Sequence, residues 1–224
     1  MYVVTRSLGG DLKMWEIDTG EEYIAFKGHS KVVPAVVFTK DHQHMISVSW
    51  DQTVKIWDYR TGFLEKKLMG HTEPVNDIRI TKDGERIITG STDRTAILWD
   101  LKTGEMLRRF EGHHSAVNSV NVSSDGNYLL TGSIDGVIKI WDMENGEELI
   151  TQYFVGDNDW MIRNKAGFFY STDNARQFIH FVRGTETYEI DQFFEDFYRP
   201  DLMEKTFQSD RSFDQGMNMI EKLR

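Results

Sequence analysis

Three groups of side chains have the types and spacing to do chemistry. Each holds an imidazole, a hydroxyl and a carboxylate: His29, Ser49 and Asp51; His71, Ser91 and Asp93; His113, Ser133 and Asp135. A hydroxyl activated by an imidazole that a carboxylate orients is the machinery of a serine hydrolase. The spacing argues against that use. Every member recurs at a constant step, and so does a tryptophan that follows each group, at 57, 99 and 141, a step of 42 residues. An active site is not stamped out three times at a fixed period. The groups, each with its Trp57, Trp99 or Trp141, are instead expected to be structural. The carboxylate accepts hydrogen bonds at a turn, imidazole and hydroxyl pass them on, and the indole N–H closes the chain. A fully satisfied buried network of this kind sets strand register.

The remaining candidates for chemistry are weaker. His42 and His44 alternate on one hairpin and His113-His114 is a doublet, but no carboxylate or cysteine stands at ligand spacing around them. Asp191, Glu195 and Asp196 fall at a helix start, where carboxylates complement the dipole. No glycine-rich phosphate loop follows a strand. The expectation is therefore no catalytic residue, no metal and no cofactor. The absence of cysteine excludes a disulfide framework, a thiol nucleophile and thiolate zinc sites, and fits a reducing compartment. A formal net charge of −10 argues against a nucleic-acid partner, which needs clustered Lys and Arg. No stretch approaches the roughly 20 apolar residues that span a bilayer, and no charged leader with a long apolar run opens the chain. A cytoplasmic protein without a membrane partner is expected.

The elements that must position these groups are legible in the same period. One phrase occurs four times, as Lys13-Met14-Trp15-Glu16, Val54-Lys55-Ile56-Trp57-Asp58, Ala96-Ile97-Leu98-Trp99-Asp100 and Ile138-Lys139-Ile140-Trp141-Asp142. Gly-His keeps the same step at 28–29, 70–71 and 112–113. Self-similarity at about 40–45 residues, with Gly-His early and Trp-Asp late, marks four-stranded blades. Hydrophobic alternation and turn residues parse the third unit into strands at 75–80, 86–91, 95–99 and 106–110, with turns at Thr81-Lys82-Asp83-Gly84 and Lys102-Thr103-Gly104. The units at 32–68 and 117–153 follow the same plan, with turns at Lys40-Asp41-His42 and Ser124-Asp125-Gly126. On these residues the chain resembles the WD-repeat β-propeller family, over residues 1 to about 153. An all-β fold is implied: WD-repeat blades in a partial or open ring, about four blades plus a degenerate one, with a short C-terminal helical tail.

The first unit departs from the pattern. Met1 aligns with Gln43, so the unit begins at its second strand; Gly9 stands where the turn Asp belongs, and no His precedes it. Its network cannot form, and the backbone beside Tyr2 to Ser7 is expected to lack a neighbour. After Tyr153 the period is lost but short strands continue at 160–163, 167–171, 178–183 and 186–190, read as a degenerate blade over 154–190. From Asp191 the pattern is helical, with Phe193, Phe194, Phe197 and Tyr198 on one stripe. A last amphipathic stretch places Phe213, Met217, Ile220 and Leu223 on one face. The expected domains are 1–153, 154–190 and a helical tail at 191–224. Gly167-Phe168-Phe169-Tyr170-Ser171-Thr172 and Phe197-Tyr198-Arg199-Pro200-Asp201-Leu202 resemble the segment after the propeller in large bacterial WD-repeat proteins, many of which end in a caspase-like peptidase domain. That domain itself would need a cysteine and is not present here.

The resemblance implies a non-catalytic scaffold for protein–protein interaction, or the recognition or regulatory part of a bacterial caspase-like protease or signalling system. Partner contacts on the narrow face, carried over from the family, map to Leu8, to Val32, Pro34 and Trp50, to Pro74, Asn76 and Thr92, and to Ala116, Asn118 and Ile134. The partner is expected to be a protein or peptide. An incomplete ring leaves three readings: a fragment of a larger protein, a homodimer, or completion by another chain.

Overall fold

The computed structural model describes residues 1–155, 158–178, 180–183, 186–189 and 194–205. Strands dominate, and the chain divides into two compact units, Met1–Asp135 and Gly136–Arg224.

The first unit is a succession of antiparallel meanders. Strands β1 (Tyr2–Arg6), β2 (Leu12–Glu16) and β3 (Glu22–Phe26) form a three-stranded sheet. Strands β4 (Ala35–Phe38), β5 (His44–Val48), β6 (Thr53–Asp58) and β7 (Leu64–Met69) form a four-stranded one. The next four, β8 (Val75–Ile80), β9 (Arg86–Ser91), β10 (Ala96–Asp100) and β11 (Met106–Phe110), repeat it. Strands β12 (Val117–Val122) and β13 (Tyr128–Ser133) begin another.

Sequence explains the layering. The third strands of the second and third repeats, such as Thr53-Val54-Lys55-Ile56-Trp57, are buried almost throughout, whereas β7 alternates Glu65 and Lys67 outward with Leu64, Lys66 and Leu68 turned in. Neighbouring sheets share cores. Leu12, Met14 and Phe26 pack with Val33, Met45 and Trp57; Ile46, Val48 and Ile56 pack with Val75, Ile78, Ile87 and Trp99. The approach of β9 to β12 requires glycine. A Cβ on Gly90 would lie 2.8 Å from Val117 Cγ1 and 2.9 Å from Val120 Cγ1.

Two kinds of β-bulge recur. In the outer pairing of each repeat the register shifts immediately before the tryptophan, at Met14/Trp15, Ile56/Trp57, Leu98/Trp99 and Ile140/Trp141. The extra residue, Tyr23, Glu65, Leu107 or Leu149, lies on the outermost strand, which bends there opposite the tryptophan. In the inner strand the shift passes over Asn76 and Asn118. Pro34 holds the equivalent place and precedes β4, as a residue without an N–H should.

In the second unit, β14 (Val137–Asp142), β15 (Glu148–Val155), β16 (Asp159–Asn164) and β17 (Phe169–Ser171) pair in sequence. Strands β18 (His180–Arg183) and β19 (Glu186–Glu189) pair with each other. The strands expected to make up a blade over 154–190 thus do not share one sheet among the described residues. The first two prolong the sheet of β15, which runs past residue 153 and pairs with β16 out to Val155. Two short helices follow, α1 (Phe194–Phe197) and α2 (Pro200–Lys205). Met203 packs with Ile150, Ala166 and Phe168, so α2 closes the core of this unit. The face of Phe213, Met217, Ile220 and Leu223, with Phe193, lies outside the described residues.

Candidate functional site

The polar sets form at the end of the strands where β5 turns into β6 and β9 into β10. In the second repeat His29 Nδ1 lies 2.9 Å from Asp51 Oδ2 and His29 Nε2 lies 2.8 Å from a hydroxyl. That hydroxyl is Ser47, not Ser49. Trp57 Nε1–H donates to the same Ser47 Oγ at 2.8 Å. Only one proton arrangement satisfies every atom: indole N–H to Ser47, Ser47 O–H to Nε2, and Nδ1–H to an ionised Asp51. Ser30 N–H (3.1 Å) and both Thr53 donors (3.1 and 2.6 Å) complete the carboxylate.

The third repeat reproduces this with Thr89. His71 Nε2 and Trp99 Nε1–H meet Thr89 Oγ1 at 2.8 and 2.9 Å, and His71 Nδ1 meets Asp93 at 2.8 Å. In the fourth, His113 Nε2 meets Thr131 Oγ1 at 2.6 Å, Asp135 is exposed, and Trp141 is buried. The first repeat keeps only the outer half, Trp15 Nε1–H to Thr5 Oγ1 at 2.7 Å.

Ser49 and Ser91 have a separate task. Ser49 Oγ–H is shared between the Lys31 and Val32 carbonyls (3.2 and 2.9 Å), and its oxygen accepts Asp51 N–H (3.1 Å). Ser91 does the same with Glu73, Pro74 and Asp93. Ser133 Oγ is buried with no hydrogen-bond partner in the structure.

The electrostatics suit a static network. Burial pushes the Asp51 carboxyl up, but hydrogen bonds from Thr53, His29 and Ser30 outweigh it and hold the group at about 2. Asp93 is held well below the usual carboxylate range, its burial outweighed by His71 and Thr95. Burial lowers His29, leaving a neutral imidazole. A cation caps the carbonyl before His29 and before His71: Lys55 Nζ reaches Gly28 O, and Arg109 reaches Gly70 O at 2.7 Å. The two cations come from different strands, because Ile97 occupies the place of Lys55. Ser47 and Thr89 are fully buried, so no substrate reaches the hydroxyls.

Above this network sit the positions carried over from the family. The Val32 carbonyl accepts Trp50 N–H (2.9 Å), the Pro74 carbonyl accepts Thr92 N–H (2.8 Å), and the Ala116 carbonyl accepts Ile134 N–H (3.1 Å). The second, third and fourth repeats each join two loops in this way. Asn76 Nδ2 extends the join across repeats, within hydrogen-bond distance of Thr92 Oγ1 (3.1 Å), the Val117 carbonyl (3.1 Å) and Asn118 Oδ1 (3.3 Å). Leu8 is 84% exposed, Ile134 64% and Trp50 44%. Thr92 and Asn118 are exposed, Val32, Pro34, Pro74 and Asn76 half-buried, and Ala116 buried beneath them.

Of the other candidates, His44 acquires a carboxylate that sequence spacing did not show: Glu65 Oε2 lies 3.0 Å from its Nε2. Among the described residues no three His, Asp or Glu side chains gather to hold a metal ion. Asp196 is exposed; the Asp191 and Glu195 side chains lie outside the described set.

Antiparallel four-stranded units repeated at a constant step, with a His–Asp set at one end and a buried Trp on the third strand, define the blade proteins of β-propeller type. The family of the WD domain, G-beta repeat, matches the chain at residues 20–58, 62–100 and 104–142. These matches cover more than half of its length, and the chain belongs to the WD-repeat family. No curated protein matches it. WD repeats are in general protein-interaction scaffolds.

Proposed function

We propose that this chain is a non-catalytic interaction scaffold that docks a protein or peptide on the platform of Leu8, Trp50, Thr92 and Ile134. The observation that carries this is the exposure of three large apolar side chains, two of which, Trp50 and Ile134, stand on loops whose backbones are tied to a neighbouring loop. Apolar side chains already held in place lose little freedom on binding, and an exposed aromatic on a rigid rim is a natural anchor. Peptides selected against the wild-type protein from a random display library provide the test. Trp50→Ala should weaken them about tenfold or more, equivalent to roughly 1.4 kcal/mol, with the unfolding midpoint unchanged. Undiminished affinity in Trp50→Ala and in Ile134→Ala would remove the platform from the account. Association with a second copy or another chain, and a cytoplasmic setting, belong to the same proposal.

A second reading is the recognition or regulatory part of a bacterial caspase-like system. What favours it is that the two aromatic segments carrying that resemblance meet within the second unit. Arg199 N–H donates to the Phe169 carbonyl (3.1 Å), and the Tyr198 ring lies 5.7 Å from both Phe169 and Tyr170. A co-purifying caspase-like peptidase whose cleavage rate responds to the chain would support this reading. A peptidase indifferent to it would count against it.

A further inference from the structure

Antiparallel topology puts the turns at 39–44 and 58–63 at the opposite end of the strands from Trp50. At that end a groove of about 470 Å³ lies between the second and third repeats, lined among others by His44, Ile56, Lys66, Gly84 and Leu101. One repeat earlier the groove recurs at about 270 Å³, lined by Tyr2, Val4, Met14, Phe38, His42 and Tyr59. Tyr2, Met14, His42 and Tyr59 precede His44, Ile56, Gly84 and Leu101 by the repeat step of 42.

The later groove contains its own ammonium. Lys66 Nζ donates to the carbonyls of Leu101 (3.3 Å) and Lys102 (2.6 Å) in the turn at its mouth. In the earlier groove the place of Lys66 is taken by Ile24. Contacts at the turn bear out the equivalence: a Cβ on Gly62 would meet Ile24 Cγ2 at 2.8 Å, and one on Gly104 would meet Lys66 Cδ at 3.5 Å. The earlier turn therefore presents the same backbone without that lysine.

What the earlier groove has instead is rings. Tyr2 replaces His44, Tyr59 replaces Leu101, and Phe38 stands where the next repeat has Ile80. Ring faces attract cations, and Tyr59 already has the Arg60 guanidinium 5.9 Å from its centroid. Tyr23 stands 4.7 Å from Tyr2, and Glu16 is the cross-strand partner of Tyr2. Tyr2 and Phe38 remain nearly half exposed.

We propose that this aromatic groove receives a lysine side chain presented by a partner protein. Its ammonium takes the place that Lys66 holds one repeat later, and its methylene stem lies along the half-buried Val4 and the exposed Phe38. The net charge of −10 draws such a segment toward the chain. The inference is independent of the Trp50 platform, which lies at the other end of the strands.

The test is titration of the full chain with N-acetyl-lysine methylamide and, separately, the norleucine derivative, which keeps the stem and lacks the charge. The readout is the NMR ring resonances of Tyr2, Phe38 and Tyr59. The lysine derivative should shift them saturably, with the norleucine derivative at least about tenfold weaker. Ile24→Lys, which installs the internal ammonium, should abolish the response. The double variant Phe38→Ile/Tyr59→Leu uses side chains that the next repeat already accommodates; read at the remaining Tyr2 ring, it should also lose the response, while Trp50→Ala keeps it. Thermal unfolding of each variant confirms that it is folded. Equal shifts from both derivatives, or a response retained in Ile24→Lys and in the double variant, would overturn the proposal.

Discussion

At the scale of single residues, the hydroxyl that matters most is the one hidden two positions before the obvious one. Ser47 accepts from Trp57 and serves His29, whereas Ser49 ties a loop carbonyl. Ser47→Ala would leave a buried indole N–H without an acceptor and an imidazole nitrogen without a donor. The expected loss is about 1–3 kcal/mol in chemical denaturation, more than that of Ser49→Ala, which is equally buried but whose Val32 carbonyl keeps the Trp50 N–H, so that its net loss is about 1 kcal/mol. Equal losses would contradict this division of labour. Positions 47 and 49 are both hydroxylic, both periodic and both on one face of a strand, since side chains alternate with period two. Cross-strand register decides between them: Met45 faces Trp57 and Ser47 faces Lys55, so the indole leans diagonally onto Ser47.

At the scale of elements, the recurrent device is a strand bent at one place so that one side chain can serve another. The bulge before each tryptophan and the one at Asn76 and Asn118 were not foreseeable from alternation, which says where a strand runs but not where pairing slips. The strands of the third repeat were legible nearly to the residue, because Asp-Gly and Thr-Gly turns punctuate β-branched runs. The turn after each Asp is a further shared feature. Gln52 and Arg94 adopt left-handed φ of 73° and 72°, where the fourth repeat has Gly136 at 77°. Arg94→Gly should relieve that strain, offset by the greater freedom glycine has when unfolded. The expected result is a gain of about 0.5 kcal/mol, read as a higher midpoint in thermal unfolding. A loss of more than about 1 kcal/mol would mean the Arg94 side chain stabilises the turn.

At the scale of the whole molecule, the polar sets link stability to pH. His29 is lowered in the fold, so the unfolded chain takes up a proton first as pH falls below about 6.5, and stability declines from there. Asp51 is held at about 2, so its contribution is complete above the unfolded value near 4 and is lost as pH falls from there toward 2. Denaturant midpoints should therefore drop in two stages, one below 6.5 and one below 4. Asp51→Asn should weaken the second stage; an unchanged acid limb would contradict the assignment. The repeat, the strand order within it, the family and the identity of the histidine, aspartate and tryptophan in the sets of the second and third repeats were determined by sequence, because a fixed period writes the same local interactions several times over. Tertiary structure alone decided which hydroxyl joins them, where β16 and β17 attach, and that Glu65 meets His44. It also decided that a lysine lines one inter-repeat groove and rings line the other. Those outcomes depend on register and on contacts between strands distant in the chain, and local pattern carries no record of either.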